Sequence, residues 1–330
     1  MNVLDSLKDR KIVVFGAGSI GERHISVLQK LGYTNIIVYR KRNLPLRNID
    51  PQSIQIVTSL EQIIAAKPFA AIICSPTSEH TSQTLFCLEH NIHVLIEKPV
   101  SSNYDELSSF INHANINGTY LQAGYMLRYH HFFEKIKNLI DNKTYGKLLS
   151  IDAYWGEYLP DWHPWEDYKE SYAAKKSLGG GAALTLSHDL DLILWLNNFE
   201  LEKHFSLKNT SSNLDVDVDS GFDILLKFKN GVTAHSHNNF HQKKPLREYK
   251  FVFDNAFIKI NYFDSVMEIF HDHVHTIERI EAFDRNSMFE KQWLAFISDC
   301  REAIQSNNFG KSMQNINNSF NIIKLTTDEQ

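Results

Sequence analysis

The chain has 330 residues, of which 43% are hydrophobic and 22% are charged, and its formal net charge is −5. This length and composition predict a globular protein of two domains, each able to bury its own core. The acidic balance argues against nucleic acid and anionic membrane surfaces as partners, because neither attracts a negatively charged chain.

The cysteines and the apolar segments bear on cellular location. Cys74, Cys87 and Cys300 lie too far apart for a metal-binding knuckle, and their odd number does not fit a disulfide framework, which favours a reducing compartment. The first residues have no apolar core before a cleavage site, and no segment approaches the roughly 20 apolar residues that span a bilayer. We therefore expect a soluble, cytoplasmic protein.

Residues 1–125 alternate short β-branched segments with segments that carry apolar residues at helical spacing. This alternation predicts parallel strands joined by helices, which is the pattern of a doubly wound α/β sheet. The predicted strands are Lys11–Phe15, Asn35–Tyr39, Ser53–Val57, Ala70–Cys74, His93–Ile96 and Tyr120–Ala123. The predicted helices are Glu22–Leu31, Leu60–Ala66, Ser78–His90 and Tyr104–Asn115.

Residues 126–330 show a different pattern, which predicts a second domain of the α+β class with a large, mostly antiparallel open sheet. Its predicted strands are Leu148–Trp155, Phe222–Phe228, Thr233–Asn238, Tyr249–Phe253, Phe257–Tyr262 and Val266–Phe270. Helices are predicted at His131–Asn142, His188–Leu196 and Met288–Ser306. The apolar stripe of the last of these predicts that it closes the second domain, with the alternative that a C-terminal helix packs back on the first.

A glycine-rich turn follows the first predicted strand and opens a predicted helix. Three glycines at this spacing allow a tight turn, close approach of a pyrophosphate to the backbone, and packing of the helix on the strand. The helix N-terminus also presents N–H groups to the phosphates. The sequence therefore predicts a Rossmann dinucleotide-binding domain, and a glycine turn without a ligand is the alternative. The turn consists of Gly16, Ala17, Gly18, Ser19, Ile20 and Gly21.

The end of the second predicted strand bears on which cofactor is bound. It carries Tyr39, Arg40, Lys41 and Arg42, where NAD-binding domains commonly place an acid that bonds to the ribose. Cations suit a 2′-phosphate instead, and a guanidinium can bind it through two parallel hydrogen bonds. We expect Arg40 and Lys41 to favour NADP(H) over NAD(H), and a solvated basic surface is the alternative.

Two more segments follow the fourth and fifth predicted strands, where ligands of parallel sheets bind. Lys98 is the candidate acid/base, because oxidised nicotinamide and partial burial would both lower the pKa of its ammonium. A surface lysine is the alternative. The predicted cofactor contacts in these segments are Ser75, Pro76, Thr77, His80, Glu97 and Lys98.

Five motifs in this order resemble the glucose–fructose oxidoreductase/inositol dehydrogenase (Gfo/Idh/MocA) family: GAGSIG, SPTSEH, EKPVS, GYMLRYH and GGGAALTLSHDLDLILWL. The resemblance covers residues 11 to 200. It implies a Rossmann domain followed by a substrate-binding domain whose open sheet forms homo-oligomers. It also implies hydride transfer between NAD(P) and a hydroxyl or carbonyl carbon of a sugar, cyclitol or sugar derivative. Lys98 matches the family's catalytic lysine, and Tyr125 and Arg128 match a segment that borders the active site.

The family's second catalytic element is an Asp, a His four residues later and another Asp three beyond. His188 and Asp191 match its second part, which implies that His188 is catalytic, and a histidine satisfied by local hydrogen bonds is the alternative. The first Asp is missing, because the two registers place Leu184 or Thr185 there. We expect Thr185 to contact the substrate and Asp191 to be structural. His188 would then work with Lys98 alone, or with a substrate group or a residue such as Asp189 in place of the missing acid.

An aromatic segment at residues 154–168 holds three of the five tryptophans of the chain. Trp155, Trp162 and Tyr168 are predicted substrate contacts, since aromatic faces pack on the C–H faces of sugars. A domain or subunit contact is an equal alternative. The segment is similar to one in a family branch associated with bacterial surface sugars. No metal site is expected, because neither His163 nor the paired histidines at 235–241 and 271–275 have ligands at clear spacing.

Two other functions remain open. The missing Asp is compatible with a regulator that binds a dinucleotide without turnover. An enzyme that retains its cofactor and cycles it between two substrates is the second alternative.

Overall fold

The structure, a computed structural model, describes residues 8–41, 45–163 and 166–327. Arg42 of the basic segment and Trp165 of the aromatic segment lie outside the described residues. The chain divides into two compact units, Met1–Gly124 with Arg285–Asn321 and Tyr125–Asp284 with Ile322–Gln330. No helix among the described residues is long and apolar enough to span a membrane.

The first unit contains a sheet of six parallel strands in the order β3-β2-β1-β4-β5-β6. Its strands are β1 (Ile12–Phe15), β2 (Ile36–Tyr39), β3 (Gln55–Val57), β4 (Ala70–Ile73), β5 (His93–Ile96) and β6 (Leu121–Ala123). Five of them, β1, β2, β4, β5 and β6, are buried at every residue, because a parallel sheet carries helices on both faces. The strand order reverses between β1 and β4, which is where dinucleotides bind in such sheets. The predicted doubly wound sheet is confirmed.

Helices connect these strands. They are α1 (Ser19–Lys30), α2 (Leu60–Ala66), α3 (Thr77–Glu89) and α4 (Leu107–Asn117). The second unit begins with α5 (His131–Asp141), and α6 (Ala182–Thr185) and α7 (His188–Leu196) follow its first strand. Two long helices, α8 (Asn286–Ser306) and α9 (Gly310–Thr327), end the chain. Short 3-10 turns occur at Pro51–Ser53, Tyr104–Glu106, Met126–Tyr129, Leu159–Asp161, Tyr168–Glu170, Tyr172–Ala174 and Lys176–Leu178.

Helix α8 packs in the first unit, so the expectation that it closes the second domain is wrong, and the packing agrees with the alternative that a C-terminal helix packs back on the first. Trp293, Phe296 and Ile297 belong to the same buried cluster as Ile12 and Val14 of β1. An apolar stripe indicates that a helix is buried on one side, but it does not indicate which sheet the helix covers.

The second unit contains an eight-stranded sheet in the order β14-β13-β12-β11-β7-β10-β9-β8. Only the pairing of β7 with β10 is parallel, which confirms the predicted mostly antiparallel sheet. The strands are β7 (Leu148–Tyr158), β8 (Leu201–Asn209), β9 (Gly221–Phe228), β10 (Thr233–Asn239), β11 (His241–Phe253), β12 (Ala256–Asn261), β13 (Val266–His271) and β14 (Val274–Arg279). Strands β8 and β14 were not predicted from the sequence. Both lie at sheet edges, and polar or charged residues separate their apolar ones, so they lack a strong apolar signal.

Candidate active site

The glycine turn after β1 has the geometry of a phosphate-binding loop. Gly16 adopts φ +87°, and a Cβ there would lie 2.9 Å from the carbonyl oxygen of Cys74. A Cβ on Gly21 would lie under 3.0 Å from the Gly16 carbonyl oxygen, so this glycine lets α1 pack against the turn. Gly18 faces open space within 4 Å, and no side chain caps the N-terminus of α1. Free space and uncapped N–H groups fit a pyrophosphate at this turn.

The buried carboxylate of Glu22 holds the segment that follows β2. Glu22 is 2% exposed and accepts hydrogen bonds from the backbone N–H groups of Arg47, at 3.0 and 3.2 Å, and of Asn48, at 2.8 Å. This contact was not predicted from the sequence. A charged residue on the buried side of an amphipathic helix is the only local signal for it, because its partners lie 25 residues away.

His80 connects the turn after β4 with the turn after β5. Its Nδ1 lies 2.8 Å from the carbonyl oxygen of Pro99, and its Nε2 lies 2.9 Å from that of Ser75. Burial lowers the pKa of His80 from its ordinary value, and a neutral imidazole can donate to only one of the two carbonyls. The ring thus braces both turns, and its contact with the cofactor stays a prediction.

Glu97 supports the backbone that carries Lys98. Its Oε1 accepts a hydrogen bond from His24 Nε2 at 2.7 Å, and its Oε2 lies 3.3 Å from the backbone nitrogen of Lys98. Gly124 packs closely on this carboxylate, since a Cβ there would lie 3.1 Å from the carboxyl carbon. The Glu97 carboxylate is therefore occupied by protein contacts beside the candidate catalytic lysine, and its contact with the cofactor stays a prediction.

In the second unit, His188 begins α7 and is 5% exposed. Its ring centroid lies 6.0 Å from that of Tyr125 and 6.4 Å from that of Trp155. Thr185, at the end of α6, is 2% exposed. The structure thus brings four predicted site residues of this unit to the same end of α7.

Arg128 forms a two-bond ion pair with the buried carboxylate of Asp191. Its Nε donates to Oδ2 at 2.9 Å and its Nη2 donates to Oδ1. Burial raises the pKa of the Asp191 carboxyl, and the guanidinium opposes that shift. Asp191 is therefore engaged by Arg128, and its structural role stays a prediction. The predicted substrate contact of Arg128 would have to coexist with the ion pair.

A second buried ion pair, which the sequence analysis missed, occupies Asp189. Its Oδ1 accepts hydrogen bonds from Arg247 Nη2 and, at 2.7 Å, from the hydroxyl of Tyr249. The Arg247 guanidinium carbon also lies 3.7 Å from the ring centroid of Trp155. Asp189 is therefore already engaged, which weakens its candidacy as the replacement acid. Arg247 and Tyr249 lie two residues apart on β11, so both side chains point to its buried face.

The aromatic segment packs largely on its own unit. Trp155 Nε1 donates to Glu157 at 2.7 Å, and the ring of Trp162 meets that of Phe240 edge-on at 5.4 Å. Tyr168 accepts a hydrogen bond from a backbone N–H. A cavity of about 10 Å³ lies beside Trp162, with room for one water molecule. The described part of the segment thus shows packing contacts, and its contact with a sugar stays a prediction.

Histidines of β10 pair with carboxylates across the sheet. His235 lies 3.1 Å from both Asp152 and Asp223, and His237 lies 2.8 Å from Asp223. No group of three His, Cys, Asp or Glu residues in the described part of the chain could hold a metal ion.

Comparison with known proteins identifies the family. Residues 10–125 match the model of an oxidoreductase family with an NAD-binding Rossmann fold. Residues 133–259 match the model of the GFO/IDH/MocA C-terminal domain. The chain belongs to the Gfo/Idh/MocA family. The resemblance expected from the five motifs is confirmed.

Relatives of the chain include named members of this family. The uncharacterized oxidoreductase YrbE of Bacillus subtilis is 28% identical over 234 residues, which is 67% of this chain and 64% of YrbE. Inositol 2-dehydrogenase of Rhodococcus erythropolis is 28% identical over 150 residues, which is 44% of this chain and 43% of that enzyme. Both matches span less than two thirds of the relative's own length.

A solved family structure shares the fold. Myo-inositol 2-dehydrogenase from Lactobacillus plantarum superposes with a TM-score of 0.75 over 96% of this chain and 95% of its own, at 18% identity. The two candidate catalytic residues lie in different units, Lys98 in the first and His188 in the second. Their joint action therefore stays a prediction.

Proposed function

We propose that this Gfo/Idh/MocA protein transfers a hydride between NAD(P) and a hydroxyl or carbonyl carbon of a sugar, cyclitol or sugar derivative. One observation carries the proposal: a braced lysine, Lys98, follows β5 in the same sheet whose β1 leads into an uncapped glycine turn. The names of the inositol dehydrogenases support a cyclic polyol as the substrate class.

The residues divide the chemistry between them. Residues 16–21 would hold the pyrophosphate through backbone N–H groups, and residues 75–77 would border the nicotinamide. A nicotinamide cofactor held there would supply the acceptor for a hydride from the carbinol carbon. Lys98, in its neutral form, takes the hydroxyl proton as that carbon becomes a carbonyl, and His188 assists the transfer. The reverse reaction returns the proton from the ammonium of Lys98.

Substitution of Lys98 tests this assignment. We expect Lys98→Ala to abolish turnover and to change cofactor affinity little, because the glycine turn holds the dinucleotide independently of the lysine. The measurement is absorbance of reduced nicotinamide with sugars, cyclitols, uronates and nucleotide sugars, and titration calorimetry for the cofactor. Lys147→Ala, at an exposed position just before β7, is the matched control. Near wild-type turnover of the Lys98 variant would refute the role of the lysine.

We further propose NADP(H) as the preferred cofactor. Arg40 and Lys41 follow β2 directly, and the sequence from Tyr39 to Arg42 carries no acid. Titration calorimetry of the cofactor-free protein is expected to give tighter binding of NADP+ than of NAD+. Tighter NAD+ binding would contradict the preference while leaving the reaction class intact.

A regulator without turnover is the second candidate function. It is favoured by Thr185 at a position of the missing family acid and by the engagement of Asp189 with Arg247. Cofactor binding without activity on any substrate of the screen would support it.

We also propose a cytoplasmic homo-oligomer. Cys74, Cys87 and Cys300 are buried free thiols, which suits a reducing compartment. Large apolar side chains stand exposed on the open sheet of the second unit, among them Leu207 and Leu225, at 56% and 55% exposure.

A further inference from the structure

A carboxylate from α3 lies at the end of β2. Glu79, in the first turn of α3, accepts a salt bridge from Lys41 Nζ at 3.0 Å. Lys41 stands two residues beyond the end of β2. The bonded pair thus brings a negative charge to the strand end where the sequence itself has only cations.

The carboxylate is oriented from its other side. Gln83, one helical turn later, donates from Nε2 to Glu79 Oε2 at 2.7 Å. The Oε1 of the same Gln83 accepts a hydrogen bond from Ser75 Oγ at 2.7 Å. A continuous chain of polar contacts therefore runs from the predicted nicotinamide turn at Ser75 to the predicted phosphate ligand Lys41.

Glu79 is accessible as well as oriented. Its side chain is 35% exposed and that of Lys41 is 61% exposed, so a ligand can reach both groups. Glu79 raises the pKa of the Lys41 ammonium by hydrogen bonding and by charge attraction. The two charges are thus coupled, and any group that binds Lys41 must compete with Glu79.

We propose that Glu79 is a specificity-determining residue that limits the preference for NADP(H) by competing for Lys41. This inference rests on the proposed dinucleotide-dependent function. A 2′-phosphate meets the repulsion of Glu79 as well as the attraction of Lys41. A 2′-hydroxyl can instead donate a hydrogen bond to the carboxylate, which is the role of the acid that β2 lacks. The chain therefore binds both cofactors, and its affinity for NADP(H) exceeds that for NAD(H) by less than the basic segment alone would produce.

The test measures the dissociation constants of NADP+ and NAD+ for four proteins: unaltered, Glu79→Gln, Lys41→Gln and the double variant. Glu79→Gln is expected to shift the affinity ratio towards NADP+ about fivefold, the scale of one exposed ion pair. Lys41→Gln should cost more NADP+ affinity in the Glu79→Gln background than alone, because Lys41 is then released from its competitor.

Glu61→Gln is the matched control, because Glu61 lies in the first turn of α2 and its loss changes net charge and helix-end electrostatics in the same way. An affinity ratio for Glu79→Gln equal to that of Glu61→Gln would overturn the inference. If the unaltered protein prefers NAD+ and Glu79→Gln still shifts the ratio, the inference holds and the NADP preference fails. If neither dinucleotide binds the unaltered protein, both proposals fail.

Discussion

His93 illustrates how one buried residue couples the Rossmann sheet to pH. It begins β5, is 7% exposed, and its Nδ1 accepts a hydrogen bond from the backbone N–H of Tyr120 at 3.0 Å. Burial lowers the pKa of His93 to about 4. Protonation of Nδ1 would also replace this acceptor with a second donor, so the hydrogen-bond geometry disfavours the charged ring in addition to burial.

Stability is therefore expected to fall as pH falls from about 6.5 to about 4. The unfolded histidine binds a proton near pH 6.5 and the folded one only near pH 4, so within this window the unfolded chain holds more protons. The loss from this residue at pH 5 is about 2 kcal/mol. Urea unfolding of the protein and of His93→Asn at pH 7.5 and 5 measures it, since an Asn oxygen preserves the acceptor. Equal losses in the two proteins would exclude His93 as the cause.

At the scale of elements, two glycines of the turn after β1 have different roles: Gly18 leaves space for a ligand and Gly21 allows the helix to pack. A methyl group on Gly18 meets no atom within 4 Å, whereas one on Gly21 collides with the carbonyl of Gly16. Gly18→Ala is expected to change the free energy of unfolding by less than about 1 kcal/mol and to weaken dinucleotide binding at least tenfold.

Gly21→Ala is the contrasting variant, expected to destabilise the cofactor-free protein by about 1–3 kcal/mol, because backbone must move to admit the methyl group. Thermal unfolding without cofactor and calorimetric titration with it distinguish the two effects. Equal destabilisation by both substitutions would show that Gly18 has a packing role as well.

Elements with a local signal were predictable from sequence. The bounds of α2 and α7 agree with the prediction, because Ser59 forms a capping box at the start of the first and two acids, Asp189 and Asp191, occupy the first turn of the second. Strand β8 was not predicted because polar and charged residues separate its single apolar residues, so it has no strong apolar segment. The wrong sheet was predicted as the partner of α8, because an apolar stripe does not indicate which distant part of the chain the helix covers.

The same limit applies to the site. The glycine turn and Lys98 stand in recognisable local motifs, so sequence alone predicted them. The partners of Glu22, Glu97 and Asp189 lie 25 to 73 residues away, and only the fold brings these polar groups together. A buried charge without a local partner is the one sequence signal that such contacts leave.

At the scale of the whole molecule, the open face of the second sheet is the predicted subunit interface. Strand register aligns Leu225 of β9, His235 of β10, Asp152 of β7 and Lys250 of β11 in one row across this face. Its centre is polar and paired, whereas apolar side chains are exposed towards both edges. Those with at least 39% exposure are Phe205, Leu207, Leu225, Phe270 and Ile277.

A second copy of the chain would bury these apolar edges, and charges placed there should prevent its association. We expect the pair of substitutions Leu225→Lys and Phe270→Lys to convert an oligomer into a 38.2 kDa monomer, because each lysine would need to be desolvated at the interface. Light scattering after gel filtration measures the mass. Ile304→Lys, at 48% exposure on α8 in the first unit, is the matched control and should leave the mass unchanged. A monomeric unaltered protein, or an oligomer that survives both lysines, would contradict an interface on this face.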